Sequence, residues 1–194
     1  WKQSNQYTEL DTKIESVQTQ VATVDKKLDK FISLNHLTDP VIFTDKVHSY
    51  ELKQIDCLAK NIYFEARNQP VPGQAAVAFV TWNRTKSSDF PDSICKVVYQ
   101  GKKVKTKKGY VYLRNKCNFS WVCDGNPDTI NDKQSWETSY RIAYNFYINN
   151  QKIKDPTDGS THYYAEYIRK PHWAKKMLET TKIGLHIFFK EKNG

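Results

Sequence analysis

Along the first thirty-four residues, Tyr7, Leu10, Ile14, Val17, Val21, Val24, Leu28 and Phe31 recur in steps of three and four. That spacing makes a heptad seam, with Tyr7, Ile14, Val21 and Leu28 at one seam position and Leu10, Val17, Val24 and Phe31 at the other. Thr, Lys, Glu, Gln and Asp fill the remaining positions. The pattern predicts an N-terminal coiled-coil helix over residues 1–34 that makes a homo-oligomer through residues 7–31; the alternative is an amphipathic helix packed on its own domain. Periodicity then fails, and Asp39-Pro40 marks a break, so residues 35–49 read as a linker.

A compact domain is expected over residues 50–194. It opens with a helix, "YELKQIDCLAKNIYFEAR", whose apolar positions Leu52, Ile55, Leu58, Ala59, Ile62 and Ala66 share one stripe. The prolines and glycine of "NQPVPG" end it. "GQAAVAFVTWNRT" is apolar around most of its circumference and predicts a central helix, its small residues allowing close backbone approach. Residues 87–134 are rich in turn formers and lysines, with short β-prone pieces "KVVYQ" and "YVYLR", and read as a loop and hairpin region over a cleft. "QSWETSYRIAYNFYIN" predicts a third helix; "THYYAEYI" and "IGLHIFFK" read as short strands. The class is α+β.

Composition sharpens this picture in three ways. The net charge of +9 suits an anionic polymer: nucleic acid, acidic lipid or bacterial cell wall. The densest basic stretch, "KKVKTKK" at residues 102–108, lacks the interleaved aromatics of a single-strand binding platform and reads as a solvated loop. No apolar run of about 18 residues is present, nor a secretory signal, and the chain begins at Trp1, which leaves room for an upstream membrane anchor or signal. The four cysteines, Cys57, Cys95, Cys117 and Cys123, show no CxxC spacing. Two disulfides in an oxidising compartment is the preferred reading and reduced buried thiols the alternative; a Cys117–Cys123 pair would close a short loop around "NFSWV".

One acid stands out. Glu65 lies three residues after Ile62 and seven after Leu58, at the edge of the stripe that faces the core. Partial desolvation there raises a carboxyl pKa and keeps the group protonated nearer neutral pH, the state a general acid for glycosidic cleavage requires. A salt bridge to Lys60 or Arg67 is the plain alternative. The histidines at 36, 48, 162, 172 and 186 show no HExxH or paired spacing, so no metal or other cofactor is expected. There is no Walker loop, dinucleotide fingerprint or GxSxG elbow.

Around Glu65 the chain resembles the cell wall hydrolase family of the spore cortex-lytic enzyme type. The motifs that carry the resemblance are Glu65-Ala66-Arg67, Pro70, Gly73-Gln74, Ala76-Val77-Ala78, Asn83-Arg84, Phe90-Pro91 and Val98-Tyr99-Gln100. Phe119, Ser120, Asp124 and Gly125 follow, then "THYYAEY", Trp173 and "KIGLHIFF". The resemblance covers about residues 55–189.

It implies a lysozyme-like catalytic domain with a helical lobe and a small β lobe, acting on the glycan strands of peptidoglycan in the bacterial cell wall or periplasm. Glu65 takes the place of the catalytic acid, and a phage-encoded, endolysin-like enzyme is one setting. Many relatives act as lytic transglycosylases, in which the sugar's own 6-hydroxyl is the nucleophile. One residue can then serve first as acid and then as base, which suits a chain where Asp124, Asp158 and Glu166 have no clear claim to be a second carboxylate. Gln100, Ser120, Tyr163 and Tyr164 are expected to orient the sugars. The enlarged loop "GKKVKTKKGYVYLRNK" departs from the family, so substrate preference does not carry over. Competing readings are muramidase-type hydrolysis, N-acetylmuramoyl-L-alanine amidase activity, and a basic coiled-coil adaptor that binds wall polymer or nucleic acid without cleaving it; nucleic acid is not the expected partner.

Overall fold

The computed structural model describes residues 13–23, 34, 36–39 and 47–192. The chain divides into two units, Trp1–Ser33 and Leu34–Gly194. In the first, residues 13–23 are helical (α1), and the seam residues Ile14, Val17 and Val21 are exposed on the single chain. The other predicted seam residues lie outside the described ones.

In the second unit α2 (Ser49–Ala66) opens with the His48 N–H donating to Glu51 Oε2 at 2.9 Å. A carboxylate three residues into a helix thereby satisfies a donor that has no intrahelical partner. Of the predicted stripe, Ile55, Leu58, Ala59, Ile62 and Ala66 are fully buried, whereas Leu52, in the first turn, is 37% exposed. Helix α3 (Val71–Lys86) starts with proline in its first turn, where a missing N–H costs nothing. Ala75, Ala76, Val77, Ala78 and Val80 are all at 0% exposure, so α3 is the central helix its composition predicts. Helix α5 (Lys133–Asn149) is capped by Asp132, which accepts the Ser135 N–H at 3.0 Å. Its Phe146 meets Phe79 of α3 edge to face, with ring centroids 4.8 Å apart.

Three expectations are revised. Leu34 and Leu37 belong to this helical core at 1% exposure, and Asn145 Nδ2 donates to the carbonyls of Leu37 and Asp39. Part of the stretch 35–49 is therefore packed against α5, because two leucines gain roughly 1.5–3 kcal/mol each from burial. "KVVYQ" contributes to a short helix, α4 (Ile94–Val98), since its valines fill the core and Cys95 is bound to Cys57 of α2. The lysine-rich "KKVKTKK" is not a loop. It forms most of β1 (Gly101–Thr106), paired antiparallel with β2 (Gly109–Cys117) in an exposed hairpin. Gly109 supplies a φ of 117° at the turn, and Lys103 lies 4.4 Å from the centre of the Tyr112 ring opposite it.

The second sheet is antiparallel with order β3-β5-β4, from β3 (His162–Ala165), β4 (Leu178–Ile183) and β5 (His186–Lys190). Successive residues of a strand point to opposite faces. Phe188 therefore packs on Ala76 and Val80 of α3, while Phe189 joins Tyr164, Ala174 and Met177 on the far side. This fixes β3 with Tyr163 against the helical core and Tyr164 on the far side. The second disulfide, Cys117–Cys123, closes the "NFSWV" loop, and the two-disulfide reading stands.

Candidate active site

Glu65 occupies the last turn of α2. One turn earlier Asn61 is fully buried; it accepts the Trp121 Nε1–H at 3.0 Å and donates Nδ2–H to Thr81 Oγ1 at 3.0 Å. That anchors Trp121, whose ring stacks on Phe64 with centroids 4.6 Å apart. From the sheet, the Tyr163 hydroxyl donates to Glu65 Oε2 at 2.8 Å. The connection after α2 is tied to the sheet too, since Gln69 Oε1 accepts the Leu185 N–H at 3.0 Å. Gly184 is required at that crossing: its φ is 58°, and a Cβ there would come within 2.5 Å of Gln69 Oε1.

A cavity of about 710 Å³ lies over this arrangement, bringing together Glu65, Ser120, Asp124, Tyr163, Tyr164 and His186. A second of about 220 Å³ also includes Glu65 and His186 and extends along Asn68, Gln69 and Tyr167. Phe64, Trp121 and Tyr167 give the larger cavity aromatic faces beside polar groups, a combination suited to sugar rings. Of the residues expected to orient sugars, Ser120, Tyr163 and Tyr164 line this cavity with Glu65. Gln100 does not. Its side-chain oxygen accepts from Asn118 Nδ2 and its carbonyl from the Asn118 N–H, so it braces the end of the hairpin.

The acids also separate. Asp158 pairs with Lys190 at 2.9 Å and Glu166 pairs with Lys182; neither lines this cavity. Asp124 does line it, but its carboxylate accepts the Asn126 N–H at 2.8 Å, which holds it below the usual carboxylate range. Asp128 lines it as well, with burial and the neighbouring Asp124 charge raising its pKa.

Burial raises the Glu65 pKa, and this outweighs the opposing effects of the Tyr163 hydrogen bond and the Arg84 charge. The Tyr163 hydroxyl is pushed well above its ordinary value by burial and by Glu65 itself, so it remains a donor. His186 is driven down by burial, and His162 down to about 4 by burial and Arg84; at neutral pH His162 carries no charge. Among the described residues no three His, Cys, Asp or Glu side chains gather in a metal-binding arrangement.

Arg84 and His186 were not singled out by sequence reasoning. Asn83-Arg84 stands in the resemblance without a role, and His186 lacks the spacing of a metal ligand. A neutral imidazole whose ring centre lies 4.9 Å from that of Tyr163 needs no such spacing to matter. Asn83 binds the carboxylate of Asp155 and the carbonyl of Ser160, holding the approach to β3.

A helical core that carries a buried acid of raised pKa at the end of one helix, faced by a tyrosine from a small sheet, suits acid-assisted bond cleavage. The cell wall hydrolase family matches residues 68–189, and the chain belongs to that family. The match begins just past Glu65. Curated relatives include the spore cortex-lytic enzyme of Halalkalibacterium halodurans, 30% identical over 139 residues, which covers 72% of this chain and 35% of the relative. That of Bacillus cereus is 26% identical over 147 residues, covering 76% and 48% respectively. This chain thus spans less than half the length of either. Among solved structures, the catalytic domain of Bacillus cereus SleB is similar with a TM-score of 0.53 and 26% identity, over 78% of this chain and 100% of that one. The catalytic domain of the germination-specific lytic transglycosylase SleB of Bacillus anthracis gives 0.52 and 26%, over 76% and 100%. The expected α+β catalytic fold is therefore that of the SleB catalytic domains.

Proposed function

We propose that this chain cleaves peptidoglycan glycan strands between N-acetylmuramic acid and N-acetylglucosamine as a lytic transglycosylase, with Glu65 as acid and then base. The observation that carries the reading is the partly buried Glu65 carboxyl, its pKa raised, facing a sugar-sized cleft with the Tyr163 hydroxyl on Oε2. Protonated Glu65 gives its proton to the glycosidic oxygen as the bond from that oxygen to C1 breaks, and positive charge spreads over C1 and the ring oxygen. The resulting carboxylate, supported by Tyr163, takes the proton of the muramic 6-hydroxyl while that oxygen attacks C1. A 1,6-anhydro ring forms and Glu65 is again protonated. The lytic transglycosylase activity named for the Bacillus anthracis relative supports this course.

A second reading is hydrolysis, favoured by the presence of Asp124 and Asp128 in the same cavity, where either could activate water. Digestion of purified peptidoglycan separates glycan cleavage from the other chemistry. Shortened glycan chains with stem peptides still attached are expected, and release of free stem peptides would overturn the assignment.

Tyr163→Phe gives a pH test. The Tyr163 hydrogen bond favours charged Glu65, so its loss raises the Glu65 pKa further. The alkaline limb of the rate profile, set by loss of the acid's proton, should move up by roughly one pH unit for a charge-assisted bond of about 1.5 kcal/mol. An unmoved limb would remove Glu65 as the titrating acid.

Ile14, Val17 and Val21 are 46%, 56% and 53% exposed, which supports self-association through residues 7–31. Sedimentation should show concentration-dependent assembly of the full chain that Val17→Glu abolishes. A wild-type chain that stays monomeric at high concentration would contradict it.

A further inference from the structure

Beside the cleft lies another cavity, of about 260 Å³, lined by Arg84, Phe90, Asn118, His162, Tyr163 and Trp173, with Cys117 at its edge. Tyr163 and Trp173 also line the Glu65 cavity, so the two share walls. Arg84 is only 6% exposed. Its Nε–H donates to the Thr161 carbonyl at 2.7 Å, and its guanidinium lies 4.7 Å and 5.1 Å from the ring centres of Phe119 and Phe90. Nη1 is buried with no hydrogen-bond partner. Among the described residues, no acidic side chain lines this cavity.

A buried guanidinium with an unmet donor is costly, and two aromatic faces offset only part of that cost. Glu65 is the acid whose charge reaches it, and no ion pair joins the two. When Glu65 holds its proton, as the reaction requires at the start, Arg84 loses that opposing charge. His162, neutral in this setting, adds no competing positive charge. Asn118 and the Trp173 ring supply a polar edge and an apolar wall. The cavity is thus a cationic, largely aromatic recess one side chain away from the acid, with room for a small substituent or a single sugar ring.

We infer that the Arg84 recess is a subsite for a carboxylate on the substrate, namely the free lactyl carboxylate of a muramic residue next to the cleaved bond. The inference rests on the glycan-cleavage reading for the identity of that sugar. Planar guanidinium donors match a carboxylate better than a neutral amide oxygen. The preferred substrate is then a strand from which the stem peptide has been removed, so an amide-cleaving reaction must come first.

Binding can be measured without turnover, on the Glu65→Gln full chain titrated with N-acetylmuramic acid, its methyl ester, and N-acetylglucosamine. N-acetylmuramic acid should bind at least tenfold more tightly than the other two, weaken as salt is raised, and shift the Arg84 Nε–H and Trp173 indole resonances. Arg84→Lys in the same background should lose at least tenfold in that affinity. Equal binding of the three sugars, no binding of any, or shifts confined to residues other than Arg84 and Trp173 would overturn the subsite. The comparison among ligands stands even if Arg84→Lys does not fold. Glycan cleavage is read separately from wild-type digestion: binding at Arg84 without cleavage sinks the proposed reaction and leaves the subsite, whereas cleavage without carboxylate preference does the reverse.

Discussion

Glu65→Gln should abolish glycan cleavage, lowering its rate by about a thousandfold, the scale of a lost general acid. The variant should fold normally, because the amide oxygen still accepts from the Tyr163 hydroxyl and nothing changes in volume. Stability provides an independent check. The folded Glu65 has a raised pKa, so between the ordinary carboxylate value and that raised value the folded state holds more protons than the unfolded state. Stability therefore falls as pH rises through that window, because the buried group takes on charge there. Glu65→Gln removes the titration and should melt at the same temperature or higher at pH 7. Thermal unfolding beside a wall-digestion assay reads both effects. A variant that is inactive because it is unfolded, or folded and still active, would displace Glu65 from its role.

The largest effect on stability is expected from the Cys57–Cys95 disulfide. It closes a loop with a sequence separation of 38 and ties α2 to α4 at the edge of the helical core. Chain-entropy reasoning puts its loss at roughly 4 kcal/mol, against about 2 kcal/mol for a loop as short as that of Cys117–Cys123. Its separation is 6 residues. Cys57→Ser/Cys95→Ser should thus lower the denaturant midpoint more than Cys117→Ser/Cys123→Ser, with little change in slope. The reverse order would mean that the short loop, which carries Ser120 and Trp121 into the cleft, governs global stability.

Helices were legible in the sequence where burial imposes a period. The buried stripe of α2 and the small, apolar circumference of α3 each leave a pattern, and both helices begin and end within about two residues of where it predicts. Strands were legible where aromatic and β-branched residues mark them, as in the edge strand β3 and in "YVYLR" of β2. β5, paired on both sides, is apolar, whereas β4 and β1 sit at sheet edges and read as polar segments, "LETTKI" and "GKKVKT". An edge strand draws its stability from backbone pairing and one neighbour, so its sequence is freer and its pattern can be weaker.

The same contrast applies to the site. Glu65 could be picked out because its position on a helix is a local property. Its partner Tyr163 lies 98 residues away, and that meeting depends on Phe188 packing the sheet onto α3. Gln100 carried the right chemistry but belongs to the hairpin base, and Arg84 is buried among phenylalanines 119 and 90 rather than exposed as its type predicts. No spacing rule connects residues that only tertiary packing brings together.

The central claim is that Glu65 closes an anhydro ring and does not direct water to the sugar. Digestion of purified peptidoglycan in oxygen-18 water, followed by mass spectrometry of the fragments, tests it directly. The account predicts 1,6-anhydromuramic ends that carry no label. Reducing muramic ends bearing oxygen-18 would contradict it and assign the cleavage to hydrolysis, with Asp124 or Asp128 as the partner acid.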